Sequence, residues 1–128
     1  MDWLMQDLRC IGGLYFVDSR TDVRTVARKV AREAGLANAQ RDIFLDNEQD
    51  PDYVRYQFAR LVETARRRGH AIGIGHPYPE TLTVLADALP GLADQGVELV
   101  PVSRLVEIQR SDQQWLACSS PLRTVAKN

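Results

Sequence analysis

Asp42-Ile43-Phe44-Leu45-Asp46, then Asp50-Pro51, then a long amphipathic run to Gly69, then Ala71-Ile72-Gly73-Ile74-Gly75-His76-Pro77: this stretch decides the fold. Ile43-Phe44-Leu45 is a short apolar run held between two aspartates, which predicts a strand. Asp50 is the expected N-cap and Pro51 the first residue of a helix, where its missing N–H is not needed. Val54, Phe58, Leu61, Val62 and Ala65 form one apolar face of that helix. Arg66-Arg67-Arg68 fall in its last turn, where cations favour the helix dipole, and Gly69 ends it. Ala71-Ile72-Gly73-Ile74 is the next strand. Strand, helix and strand in this order predict parallel pairing, because parallel strands need a crossover connection.

The same alternation extends outward. Upstream, Leu4, Met5 and Leu8 have helical spacing, and Gly12-Gly13 stops that helix. Leu14-Tyr15-Phe16-Val17 is a continuous apolar run suited to a strand covered on both faces. Thr21 is the expected N-cap of a second helix, whose face is Val23, Val26, Ala27, Val30, Ala31 and Ala34, with Gly35 beyond its end. Downstream, Pro79 opens a helix through Leu89 with Leu82, Leu85, Ala86 and Leu89 inward, and Val97-Glu98-Leu99-Val100 is a fourth strand closed by Pro101. Strands and helices alternating in this way predict an α/β chain of about four βα units around a parallel sheet. Past Val106 the pattern fades, and residues 107–128 read as a polar, flexible tail with one apolar cluster, Trp115-Leu116-Ala117.

Composition narrows the function classes. The 128 residues are 45% hydrophobic and 26% charged, which excludes wholesale disorder. Sixteen basic and 17 acidic residues leave a net charge of −1, so no global basic field draws the chain to nucleic acid or an anionic membrane. Cys10 and Cys118 are far apart and match no metal-binding pattern; buried or free thiols are expected rather than a disulfide. No run of about 18 apolar residues is present, so no transmembrane helix is expected. Met1 to Asp7 lacks the charged-then-apolar pattern of an export signal, and the chain reads as soluble.

In parallel α/β folds, ligands bind beyond the carboxyl ends of the strands. That edge gathers Asp18, Ser19 and Arg20 after the first strand, Asp46 and Asn47 after the second, His76 after the third, and Ser103 and Arg104 after the fourth. His76 follows two glycines that allow a close approach, and it can serve as a metal ligand or a general acid/base. The alternative is that it caps the next helix or bonds within its loop. Asp18 is either a functional carboxylate or part of a helix-capping turn. Arg20 can pair with Asp18 or Asp46, or grip an anionic substrate group. Asp42 precedes its strand and can be a local turn or interstrand tie. His70 sits at the amino end of its strand, on the opposite edge.

Two other signals are weak. Gly73-Ile74-Gly75 begins like a dinucleotide fingerprint, but Tyr78 stands where the last glycine belongs. Arg66-Arg67-Arg68 has no interleaved aromatic residues and reads as a solvated helix end, not a nucleic-acid site.

Four segments together resemble the divergent polysaccharide deacetylase family of bacteria: Tyr15 to Thr21, Arg41 to Asn47, Ile72 to Pro77, and Val97 to Ser103. The resemblance covers about Leu4 to Leu105 and implies a distorted (β/α) barrel of the glycoside hydrolase/deacetylase superfamily. It also implies a divalent metal, usually zinc, that activates water against an acetyl group on a sugar polymer. Full-length members are typically exported or envelope-associated. His76 matches the late histidine of the Gly-His-Pro motif and is carried over as catalytic residue and as metal ligand. Asp18, Ser19 and Arg20 match the Asp-Ser-Arg-Thr motif, Asp18 as the second catalytic residue; Asp42 and Asp46 match the Arg-Asp-x-Phe-Leu-Asp motif. Ser19, Arg20, Asp42 and Asp46 are implied substrate contacts.

The family also carries an N-terminal half with an Asp-Asp pair and a His segment, and nothing here matches them. A closed barrel takes ~250 residues, and a catalytic zinc wants three protein ligands. The expectation is therefore a C-terminal part of a deacetylase-like domain over residues 1–106, half of a barrel, inactive alone. An exposed sheet edge on such a part favours self-association. The rival expectation is a non-catalytic carbohydrate-binding or assembly module on the same fold.

Overall fold

Two parallel strand pairs, each with its own crossover helix, organise the chain. The computed structural model describes residues 1–108. The elements are α1 (Asp2–Ile11), β1 (Phe16–Asp18), α2 (Ala27–Glu33), β2 (Asn38–Gln40), β3 (Ile43–Phe44), α3 (Pro51–Arg68), β4 (Gly73–Ile74), α4 (Pro79–Ala88) and α5 (Val102–Ile108). They divide into two compact units: Met1–Gln40 together with α5, and Arg41–Pro101.

In the first unit, β1 and β2 pair in parallel with Phe16 opposite Asn38 and Asp18 opposite Gln40. The crossover is α2, which packs on both strands and on α1. Met5, Ala31, Ala34 and Leu36 form the buried core, with Leu8, Phe16 and Val30 against it. Small alanines at Ala27, Ala31 and Ala34 let α2 lie close on the strands. Val106 of α5 is buried, and α5 packs against β2.

In the second unit, β3 pairs in parallel with β4, Ile43 opposite Gly73 and Phe44 opposite Ile74. Asp50 caps α3 by accepting from the Tyr53 N–H at 3.2 Å, and Pro51 occupies its first turn. Gly69 closes α3 in the left-handed region, φ 89°, a conformation that favours glycine. The core is Ile43, Leu45, Phe58, Val62 and Leu92, with Leu61, Leu85, Ala88, Leu89 and Val97 packed around it. Burying apolar side chains such as these stabilises by about 1.5–3 kcal/mol each relative to exposure.

Several expectations are corrected. The strands form two separate pairs among the described residues, not one sheet of four. Val97–Val100 lies outside any strand: the Val97 N–H donates back across the turn that ends at Gly96 to the Leu92 carbonyl, and Leu99 is exposed. The strand not expected is β2, whose Asn-Ala-Gln composition carries no apolar run. Asn38 is buried there because its Nδ2 donates to the Leu36 carbonyl and its Oδ1 accepts from Arg28 Nε. The helix expected from Thr21 begins only at Ala27, where Thr25 Oγ1 accepts the Ala27 N–H. The inward face of α4 is Thr81 and Val84 with Leu85 and Ala88 alongside; Leu82 is exposed. Glu107 and Ile108 close α5, and the rest of the expected tail, with Cys118 and Trp115-Leu116-Ala117, lies outside the described residues. Among the described residues no helix is long and apolar enough to cross a membrane.

Candidate functional site

The carboxyl ends of β3 and β4 bring Asp46 and His76 together. The strand register makes this pairing: Ile43 faces Gly73 and Phe44 faces Ile74, so the residues two beyond Phe44 and Ile74 meet past the strands. Asp46 is buried, its side chain fully so, while the His76 side chain is half exposed. Asp46 Oδ1 lies 3.0 Å from His76 Nδ1. Asp46 Oδ2 accepts the His76 backbone N–H at 2.6 Å and the Thr81 hydroxyl at 2.8 Å. The aspartate is thus a three-point acceptor at the base of the imidazole.

Gly75 makes the cluster possible. A Cβ there would meet Asp46 Oδ2 at 3.1 Å, Thr81 Cγ2 at 3.3 Å and Leu45 Cβ at 3.4 Å. The His76 ring stands edge-on to Phe44, centroids 5.5 Å apart, and tilted on Tyr78 at 5.0 Å. The helix α4 starts with Tyr78 as N-cap and no side-chain capping bond, so capping is not the occupation of His76.

Burial pushes the Asp46 carboxyl up, but hydrogen bonds from the His76 ring, the Thr81 hydroxyl and the His76 backbone outweigh it. The carboxyl is held below the ordinary carboxylate value. An ionised carboxylate only accepts, so His76 Nδ1 carries the hydrogen toward it. In the neutral ring this leaves the lone pair on Nε2, on the side of the ring away from Asp46. A carboxylate behind a histidine in this way fixes the tautomer and raises the basicity of a metal-ligating or proton-accepting nitrogen.

The other predicted site residues have different surroundings. Asp42 stands at the amino end of the same strand pair. Its Oδ2 accepts the Ile72 N–H at 2.9 Å and its Oδ1 accepts from Arg68 Nη1 at 2.7 Å, so it ties the end of α3 to the start of β4. Arg68 is accordingly more than a solvated helix end. In the other unit, Asp18 is buried; its Oδ1 accepts the Arg20 N–H at 2.9 Å, and its Oδ2 accepts the Arg28 N–H at 3.3 Å and the Thr25 hydroxyl at 3.4 Å. A carboxylate accepting the Arg28 N–H in the first turn of α2 is the capping alternative for Asp18, reached across the turn. Arg20 sits in that turn at φ 50°, rare for a non-glycine residue, and Ser19 and Arg20 are both partly buried.

Thr81 was not foreseen. The sequence signal was its place in the first turn of the helix that Pro79 opens, five residues after the histidine. The apolar set Leu82, Leu85, Ala86 and Leu89 predicts a face of the helix that leaves Thr81 outside it. Among the described residues, no three His, Cys, Asp or Glu side chains gather as a metal site. His76 Nε2 fits as one nitrogen ligand; a catalytic zinc takes three protein ligands.

Comparison with known proteins finds relatives of this chain. Residues 1–106 match the family described as divergent polysaccharide deacetylase. An uncharacterized protein of Haemophilus influenzae is 41% identical over 92 residues, covering 72% of this chain and 32% of the relative. The uncharacterized protein YibQ of Escherichia coli is 38% identical over 99 residues, covering 77% of this chain and 31% of the relative. The chain therefore spans about a third of the length of these curated relatives. The crystal structure of an uncharacterized protein from Agrobacterium tumefaciens C58 superposes with a TM-score of 0.73 at 27% identity, covering 80% of this chain and 42% of that one.

Proposed function

The chain belongs to the divergent polysaccharide deacetylase family, and we propose that it carries the His76 portion of a site that hydrolyses acetyl groups from a cell-envelope polysaccharide. The observation behind this reading is the buried Asp46 carboxylate at 3.0 Å from His76 Nδ1, at the edge where parallel strands end. Removal of an acetyl group breaks its bond to the sugar oxygen or nitrogen. Water adds to the carbonyl, and a proton must reach the leaving atom. Neutral His76 can accept a proton at Nε2 while Asp46 stabilises the imidazolium that forms, and the imidazolium can return it to the leaving atom. Alternatively Nε2 serves as one ligand of a divalent metal, with zinc the leading choice. Zinc, when bound, would polarise the acetyl carbonyl and lower the pKa of a water.

Ligands beyond His76 would come from other parts of a longer protein, in which the strand–helix units would belong to a distorted (β/α) barrel. Ser19 and Arg20, in the turn that Asp18 holds, are proposed contacts for hydroxyl or anionic groups of the polymer. Asp18 itself enters the proposal as the residue that shapes that turn. Asp42 is left out, because its two oxygens tie the amino end of the strand pair.

The test is acetate release from an acetylated polysaccharide with zinc present. We expect none from the 128-residue chain alone. Activity should appear when the non-matching two thirds of the Escherichia coli relative is fused to it, and disappear again with His76→Ala. Turnover by the fusion that survives His76→Ala defeats the assignment. Glycan binding that needs neither metal nor His76 points instead to the non-catalytic carbohydrate-binding or assembly role.

A further inference from the structure

Thr81 meets the site from α4, not from the strands that carry Asp46 and His76. It is 2% exposed, and Val84, one turn on, is 1% exposed, so this face of α4 is fixed inward. Its hydroxyl donates to Asp46 Oδ2 at 2.8 Å, the oxygen that also accepts the His76 backbone N–H at 2.6 Å. Two donors on one oxygen, from the β4 exit and from a helix, leave the carboxylate plane little freedom. The second oxygen is then aimed at the ring, 3.0 Å from Nδ1. Held by the backbone N–H alone, the carboxylate could swivel about a single bond and release Nδ1.

We propose that Thr81 is a positioning residue: its hydroxyl pins the rotamer of Asp46 and thereby keeps the proton of neutral His76 on Nδ1, with Nε2 presented as the acceptor. The role is indirect, since Thr81 touches Asp46 and not the reacting nitrogen. A buried hydroxyl needs a partner in any case. What the geometry adds is that this partner is the carboxylate that orients the working imidazole. The assignment rests on His76 being that imidazole, yet its test reads the ring directly and needs neither metal nor turnover. Loss of the deacetylase reading would therefore leave the result below unchanged.

The experiment is ¹⁵N NMR of the His76 ring in the whole chain, at a pH where the imidazole is neutral, for the unaltered protein, Thr81→Val, Thr81→Ser and Thr81→Cys. The unaltered ring should show a protonated Nδ1 and a bare Nε2. In Thr81→Val, which keeps the shape and loses the donor, the Nε2–H form should rise roughly fivefold or more, the effect of weakening one charge-assisted hydrogen bond. Thr81→Ser should restore the original pattern, and Thr81→Cys, a weak donor, should fall between. If Thr81→Val does not fold, Thr81→Cys against Thr81→Ser carries the test. A tautomer pattern unchanged in whichever of Thr81→Val and Thr81→Cys folds overturns the proposal and leaves Thr81 a core residue only.

Discussion

Replacing Asp46 by asparagine should invert the ring it supports while leaving the backbone in place. Asparagine has the same shape but one carbonyl and one amide. Asp46 Oδ2 takes two donors, the His76 N–H at 2.6 Å and the Thr81 hydroxyl at 2.8 Å, so the amide carbonyl must occupy that position. The NH₂ group then faces His76 Nδ1, where the carboxylate oxygen stood at 3.0 Å. Two donors cannot face each other, so the neutral ring should move its hydrogen to Nε2. Hydrogen bonds to a charged group contribute about 1.5–3 kcal/mol and neutral ones about 0.5–1.5 kcal/mol. Neutralising the acceptor of two buried bonds therefore costs roughly 2 kcal/mol. Relief from burying a charge offsets part of it, leaving about 1–2 kcal/mol. Urea unfolding followed by circular dichroism measures that loss, and ¹⁵N shifts of the His76 ring read the tautomer. An Asp46→Asn protein that keeps Nδ1–H, or that loses no stability, refutes the hydrogen-bond arrangement. In any restored deacetylase the same variant should be inactive, because Nε2 would no longer offer a lone pair.

The site also makes predictions for acid and for its glycines. The Asp46 carboxyl is lowered in the fold, so its stabilisation is complete above its ordinary value of about 3.9 and is lost as pH falls through the lower native value. Acid unfolding below pH ~4 should be shallower in Asp46→Asn than in the unaltered chain; identical acid profiles would contradict this. Gly75→Ala should cost about 1–2 kcal/mol in urea unfolding: its methyl meets three neighbours at 3.1 to 3.4 Å, two of them joined by the Thr81–Asp46 bond, while reduced unfolded-state freedom offsets a little. Gly73→Ala brings its methyl to 2.6 Å from Leu61 Cδ2, a closer approach, but to the free end of a half-buried side chain that can rotate away. It should cost less than Gly75→Ala, and the reverse order would show that the cluster around Asp46 is softer than described.

The stretch from Asp42 to Ile74 was legible because its signals are local: an apolar run, a cap with proline behind it, one helical face and a stopping glycine. The strand Asn38–Gln40 was not legible, since its buried polar residue is satisfied by Arg28 and by the Leu36 carbonyl, neither visible as a pattern. The late start of α2 has a similar cause: the Asp18 carboxylate reaches the Arg28 N–H ten residues on. Val97–Val100 had the composition of a strand but only Val97 joins the core around Ile43 and Phe58. At the site, the strand-end rule brought out both His76 and Asp46. What it lacked was the register that joins them, because pairing across 30 residues depends on how the crossover lands. Thr81 was hidden by a helix face rotated by one residue, from Thr81 to Leu82.

The strand pair β3–β4 is only two residues long, and an isolated ladder of that size is weak. Its two aspartates extend it: Asp42 takes the Ile72 N–H at one end and Asp46 takes the His76 N–H at the other, each across the same interval of 30 residues. They act as keys that fit only one threading of the crossover. A slip by one position would withdraw both at once and separate the carboxylate from the imidazole. A misthreaded chain would then be chemically silent rather than wrongly active, so the group that prepares the histidine also certifies that the strands around it were assembled correctly.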